Sequence, residues 1–267
     1  MNPSKLVAST MTFRTYPLER ALEALARAGF EQVELCTVGD WVPHFDVAHA
    51  TDRSIAECAA AFRRTGMRAA AVNISGEMTL EQMENGYALA RELGFGLIQL
   101  NTNGVKLAES RGFCEKLRES GVTTAYLGFD ALTEQPYYAK YGKPMLETKL
   151  RAVENAAAAG LAIVLVCCVI PGENDGELGA IVEFAREHMP AVKGVYFQPI
   201  SYFGIYPEDN IRRITIPDVI RGLAAQHPDL HVEDFGPGAY DHAQCSFNAA
   251  YMQDKSGKLR ALTRFSR

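Results

Sequence analysis

Five times along the chain a helical stretch ends in glycine and passes at once into a strand-like run. The phrases are Ala28-Gly29-Phe30, Thr65-Gly66-Met67, Leu93-Gly94-Phe95, Ser120-Gly121-Val122 and Ala159-Gly160-Leu161. Glycine just past a helix supplies a left-handed cap that other residues resist. Repeated with irregular periods and full strands, the phrase specifies βα units and a parallel sheet crossed by helices, not a solenoid. Strands are predicted over 5–13, 32–37, 68–74, 97–101, 124–129, 162–169, 194–198 and 230–234. Helices are predicted over 17–28, 54–65, 80–93, 112–120, 145–159, 177–188 and 217–226, with Pro17 opening the first. About eight such units predict an α/β fold, a (β/α)8 TIM-type barrel forming one domain over 1–267, with an open doubly wound sheet as the alternative.

Composition narrows the function classes. The formal charge is −5 and no basic stripe interrupts the mixed charges of the helices, which argues against nucleic acid as a partner. The longest apolar run, 161–170, is too short to span a bilayer, and residues 1–10 lack a signal peptide's apolar stretch, so a soluble cytoplasmic protein with no membrane partner is expected. A small-molecule ligand is the remaining class of partner, and nothing fixes the oligomeric state. Six cysteines, at 36, 58, 114, 167, 168 and 245, are scattered over helix-like and strand-like segments, a pattern of buried thiols and not of a disulfide framework.

In a parallel barrel the chemistry lies just past the carboxyl ends of the strands. Three polar stretches fall there. Ser75, Gly76, Glu77 and Thr79 precede a helix, where small residues let backbone groups approach a ligand and the helix start favours a carboxylate; the plain structural reading makes Thr79 an N-cap. Asn101 and Asn103 offer amides to ribose hydroxyls, although Asn103-Gly104 is also ordinary turn chemistry. Asn174 follows Pro171-Gly172, which reads alone as a capped loop.

Taken in order, these stretches resemble a radical S-adenosylmethionine protein, similar to the tetraether-lipid-synthase-like and related archaeal members. The match runs from about 76 to about 247 and is carried by 93–104, 126–133, 169–175, 195–204, 214–219 and 232–235. The resemblance implies that Ser75, Gly76, Glu77 and Thr79 hold the methionine end of S-adenosylmethionine. It implies further that Asn101, Asn103, Asn174 and the neighbourhood of Asp130 contact ribose and adenine. The family also carries a Cys-x3-Cys-x2-Cys loop after the first strand, whose thiolates hold an iron–sulfur cluster. No set among the six cysteines has that spacing, so the cluster is not expected.

Residues 5–74 resemble a different barrel, the xylose-isomerase-like sugar-phosphate isomerases and epimerases, chiefly through the phrase Gly29-Phe30-Glu31-Gln32-Val33-Glu34-Leu35. That resemblance implies Glu34 beside a substrate, with Asp130 and Glu233 as further carboxylates around a divalent ion or as an acid–base pair. No histidine ends a later strand, His44 and His49 read as surface residues, and no metal site is predicted. The two resemblances describe a composite barrel, isomerase-like over 1–75 and radical-enzyme-like over 76–267. Three functions follow from it. The first is a radical S-adenosylmethionine-like barrel without radical activity, keeping at most a residual S-adenosylmethionine or small-ligand site. The second is a metal-dependent isomerase or epimerase. The third is a stable chimeric or designed barrel with no evolved activity.

Overall fold

A computed structural model describes residues 6–74, 78–95, 98–202, 212–238 and 245–263. The chain divides into two compact units, Met1–Ile98 and Gln99–Arg267. Each is a parallel α/β layer, and the architecture is of the α/β TIM type.

In the first unit β1 (Val7–Ser9), β2 (Gln32–Thr37) and β3 (Arg68–Ile74) pair in sequence order, all parallel. The helices are α1 (Leu18–Arg27), α2 (Asp52–Thr65) and α3 (Leu80–Glu92). α1 buries Ala21, Leu22 and Leu25, residues one helical turn apart, so its apolar stripe faces inward. That stripe meets Val33 and Leu35 of β2 and Cys58, Ala61 and Phe62 of α2 in one core cluster. Thr51 starts α2 with a capping box, its hydroxyl accepting from Ser54 N–H while the Ser54 hydroxyl accepts from Thr51 N–H.

β1 is shorter than the predicted 5–13. Ser9 turns the chain at Thr10, where its carbonyl accepts from the Thr12 hydroxyl and its side chain accepts from Met11 N–H, and Thr10–Phe13 becomes a 3-10 helix. A side chain that offers the backbone a local partner competes with the strand ladder and wins here.

The second unit holds four parallel strands in order, β4 (Gln99–Thr102), β5 (Thr124–Gly128), β6 (Ala162–Val169) and β7 (Val192–Pro199). Its helices include α4 (Val105–Glu109), α5 (Arg111–Glu119), α6 (Gln135–Tyr141), α7 (Leu146–Ala158), α8 (Leu178–Glu187) and α9 (Ile216–Gln226). β6 is apolar at every position, and its burial alternates strictly. Ile163, Leu165, Cys167 and Val169 are fully buried, and their neighbours are half-buried. α9 ends against the first turn of α8, where a Cβ on Gly179 would come 2.6 Å from the Gln226 carbonyl oxygen. Only glycine permits that approach.

The predicted strand 230–234 is not one. Asp234, fully buried, accepts from His231 N–H (3.0 Å) and from the Tyr251 hydroxyl (3.0 Å), which folds Val232–Asp234 into a 3-10 turn. Beyond it come two small antiparallel pairs, β8 (Gly236–Pro237) with β9 (Phe247–Asn248) and β10 (Tyr251–Gln253) with β11 (Leu259–Ala261). The five predicted glycine caps, Gly29, Gly66, Gly94, Gly121 and Gly160, all have positive φ.

Candidate functional site

In the second unit the carboxyl ends of β4, β5 and β6 carry a buried charged cluster. Asp130, two residues past β5, has a side chain only 2% exposed. Both its oxygens lie 2.9 Å from Lys140 Nζ, Oδ1 also accepts from Cys168 N–H (3.0 Å), and the Tyr141 hydroxyl stands 3.4 Å from Oδ2. α6 supplies Lys140, Tyr137 and Tyr141 from one short helix, because positions three and four apart share a face. Burial alone would pull the Lys140 amine down, but the Asp130 carboxylate overrides it and holds the amine above its ordinary value. Tyr137 is fully buried, and its hydroxyl accepts from Asp130 and Ala131 N–H (3.2 Å each), fixing the turn that presents the carboxylate. Burial pushes that hydroxyl's pKa up.

Lys149 lies deeper. The residue is fully buried, its Nζ donates to the Asn103 carbonyl (2.6 Å), and the Tyr141 and Tyr137 ring centroids stand 5.4 and 6.0 Å away. Cation–π contact and one carbonyl offset part of the cost of burying the ammonium. Burial still brings its pKa down to about 8, with Asp130 opposing and Lys140 adding to the shift.

Asn174, 1% exposed, ties the strand ends together. Its Oδ1 accepts from Ile170 N–H (2.7 Å), and its amide donates to the carbonyls of Asp130 (2.7 Å) and Cys168 (2.9 Å). Glu177, at the start of α8, accepts from Leu132 N–H (2.6 Å) and from the Thr133 hydroxyl, closing the loop after Asp130.

The first unit closes its strand ends with hydroxyls and an imidazole. Thr10 Oγ1 accepts from Cys36 N–H (3.1 Å) and lies 2.9 Å from His44 Nδ1, while His44 Nε2 faces the Tyr16 carbonyl (3.2 Å). A carbonyl can only accept, so in the neutral ring Nε2 carries the proton and Nδ1 accepts from the Thr10 hydroxyl. His44 is 7% exposed, which corrects the expectation of a surface residue; His49, paired with Asp46, is exposed as expected.

The predicted site residues fall out as follows. Ser75, Gly76 and Glu77 lie outside the described residues. Thr79 is the N-cap of α3, in a capping box with Gln82. Asn101 is exposed on β4. Asn103 is exposed and its Oδ1 accepts from Val105 N–H (3.2 Å), an Asx turn. Gly104 completes that turn at φ +84, where a Cβ would meet Leu127 Cδ1 at 2.5 Å and Ala152 Cβ at 3.2 Å. Glu34 is half-buried on β2, and Glu233 is exposed in the 3-10 turn. Among the described residues no three His, Cys, Asp or Glu side chains are grouped as a metal site.

Sequence reasoning missed Lys140, Lys149, Tyr137 and Glu177. For Lys149 a signal existed. It shares the spacing of Ala152, Val153 and Ala156, the buried stripe of α7, so a lysine sat where an apolar residue belongs.

The cysteines are free. Cys36, Cys58, Cys114 and Cys167 are buried, Cys168 is half-buried and Cys245 exposed. Burial pushes the thiol pKa of all four buried ones up, that of Cys58 to about 12.

A family model described as the radical SAM superfamily matches residues 8–185. The chain belongs to the radical SAM superfamily. The match begins in β1 and runs without a break past residue 76, into both segments of the composite barrel expected from the sequence. Among curated relatives, a 7,8-dihydro-6-hydroxymethylpterin dimethyltransferase of Methanocaldococcus jannaschii is 35% identical over 201 residues, which cover 66% of this chain and 40% of that protein. The chain therefore spans well under half of that relative's length. A GTP 3',8-cyclase of Campylobacter curvus is 30% identical over 105 residues, 39% of this chain and 32% of that protein. Among solved structures, a D-allulose 3-epimerase from Methylomonas sp. has 12% identity and a TM-score of 0.39 over 82% of this chain and 80% of that one, a score too low to assign topology. Among the described residues no helix is long and apolar enough to cross a membrane.

Proposed function

We propose that these 267 residues form a radical SAM-family fold that does not hold the family's iron–sulfur cluster through a cysteine triplet, and that what remains is a small-ligand site at the strand ends. The cysteines carry this reading. A cluster of this type needs three thiolates in one short loop, leaving an iron open for S-adenosylmethionine. Here four of six thiols are buried in separate elements, and burial disfavours their ionised form, the form that ligates iron. The residues present do not fit the group.

The polar groups left open to a ligand are Asn101 and Asn103 on the β4 side, with Lys140 as the partly exposed edge of the charged cluster. Residual S-adenosylmethionine binding, where it occurs, uses the sugar and base ends of the molecule. The isomerase alternative is weakened by Asp130, whose carboxylate is already saturated by Lys140 and Cys168 N–H.

Anaerobic reconstitution with iron and sulfide, followed by iron and acid-labile sulfide analysis and by titration calorimetry with S-adenosylmethionine, tests the reading. The expected result is no stoichiometric iron or sulfide and at most weak binding that iron does not strengthen. A four-iron cluster that tightens S-adenosylmethionine binding contradicts it.

A further inference from the structure

The first unit presents an indole to solvent at its strand ends. Trp41, the only tryptophan of the chain, is 53% exposed. It sits in a tight turn after β2, closed by reciprocal bonds between Val38 and Val42 (3.2 Å each) and by Trp41 N–H donating to the Val38 carbonyl (3.0 Å). The turn is anchored below by Val42, fully buried, and by the buried Thr37 hydroxyl, which reaches the carbonyls of Val42 (2.9 Å) and Phe45 (2.8 Å).

Arg14 lies over that indole, its guanidinium carbon 5.3 Å from the ring centroid. Elsewhere in this unit Arg20, Arg27, Arg53, Arg63 and Arg64 each pair with a glutamate, whereas Arg68 and Arg91 have no such pair among the described residues. Arg14 pairs with no carboxylate among the described residues. Such stacked pairs are common on protein surfaces, so the pair alone assigns nothing. Its frame is what distinguishes it. Arg14 follows the 3-10 helix at the end of β1, Trp41 follows β2, and the Thr10–His44–Tyr16 bonds fasten the two loops to each other. An exposed ring on a bonded turn and a planar cation without a carboxylate partner are thus held together at strand carboxyl ends, the edge where parallel α/β layers bind ligands.

We propose that Trp41 and Arg14 form a recognition platform for a small planar aromatic anion, the indole stacking on the ring and the guanidinium holding a phosphate or carboxylate. Guanidinium presents paired donors in a plane that matches such oxyanions, and an aromatic face accepts any flat heterocycle. Asp40, exposed in the same turn, adds a negative charge, so Arg14 is the group that holds the anion. This platform does not depend on whether the chain holds a cluster.

Because the chain has a single tryptophan, its fluorescence reports on the platform directly. AMP serves as the probe, with adenosine and ribose 5-phosphate as the uncharged-ring and ringless controls, each titrated against the whole chain. AMP is expected to quench the tryptophan saturably, with adenosine and ribose 5-phosphate each about tenfold weaker or more, as the loss of one stacked or charge-assisted contact implies. Arg14→Gln, a surface change, should keep the thermal midpoint and erase the preference for AMP over adenosine. Trp41→Leu, followed by calorimetry, should erase the preference for AMP over ribose 5-phosphate. Absence of saturable quenching by AMP overturns the proposal, as does ribose 5-phosphate binding as tightly as AMP or an Arg14→Gln chain that binds AMP like the unaltered one.

Discussion

The two units solve the same problem with opposite materials. At the carboxyl ends of β1 and β2, hydroxyls and an imidazole join loops 34 residues apart, Thr10 to His44. At the ends of β4, β5 and β6 a carboxylate, two amines and two phenols do the joining, three of them on α6. Hydroxyl networks of the first kind are modest in gain and in cost. A buried charged network is expensive to assemble and more expensive to leave half-made, since removing one partner strands the other. The second unit should therefore be the more fragile to single substitutions at its strand ends and the more sensitive to pH.

Asp130→Ala gives the largest expected effect. It leaves Lys140 and the fully buried Lys149 without their carboxylate and Cys168 N–H without its acceptor, a loss of about 3–5 kcal/mol by chemical denaturation. A loss below about 1 kcal/mol would mean that the pair is not buried as described. His44→Ala should cost less, about 1–3 kcal/mol, through the unpaired Thr10 hydroxyl and Tyr16 carbonyl and the volume lost. Equal losses in the two variants would break the contrast between the units.

The pH dependence sharpens it. Lys149 has a folded pKa near 8 against an ordinary 10.5. Between those values the unfolded chain binds the proton that the folded chain has released, so this residue's contribution to stability rises with pH. The penalty for burying the charge is full below about pH 8 and relieved towards 10.5. Lys149→Met removes the penalty. Its stability relative to the unaltered chain should thus be highest at neutral pH and should fall by about 2–3 kcal/mol by pH 10. A difference independent of pH would show that Lys149 is hydrated.

Much of the scaffold was legible because its rules are local. Gly29, Gly66, Gly94, Gly121 and Gly160 marked the helix ends, and the β-rich runs at 32–37, 68–74 and 162–169 became strands with those bounds. The failures share a cause. Ser9 and Asp234 each turned a predicted strand into a 3-10 segment by bonding nearby backbone, a choice that residue type permits but does not dictate. The strand-end networks were hidden differently. Thr10 with His44, and Asn103 with Lys149, are joined across 34 and 46 positions, and nothing in either local sequence announces its partner. Lys149 is the exception, readable as a lysine on an apolar stripe.

The central claim is that the cysteines are packing groups and not cluster ligands. Counting reactive thiols in the folded chain, before and after anaerobic treatment with iron and sulfide, tests it most directly. The account predicts rapid reaction at Cys245, slower reaction at the half-buried Cys168, and reaction of Cys36, Cys58, Cys114 and Cys167 only on unfolding, with the same counts after treatment. Protection of three thiols by iron and sulfide, restored by a chelator, would contradict it.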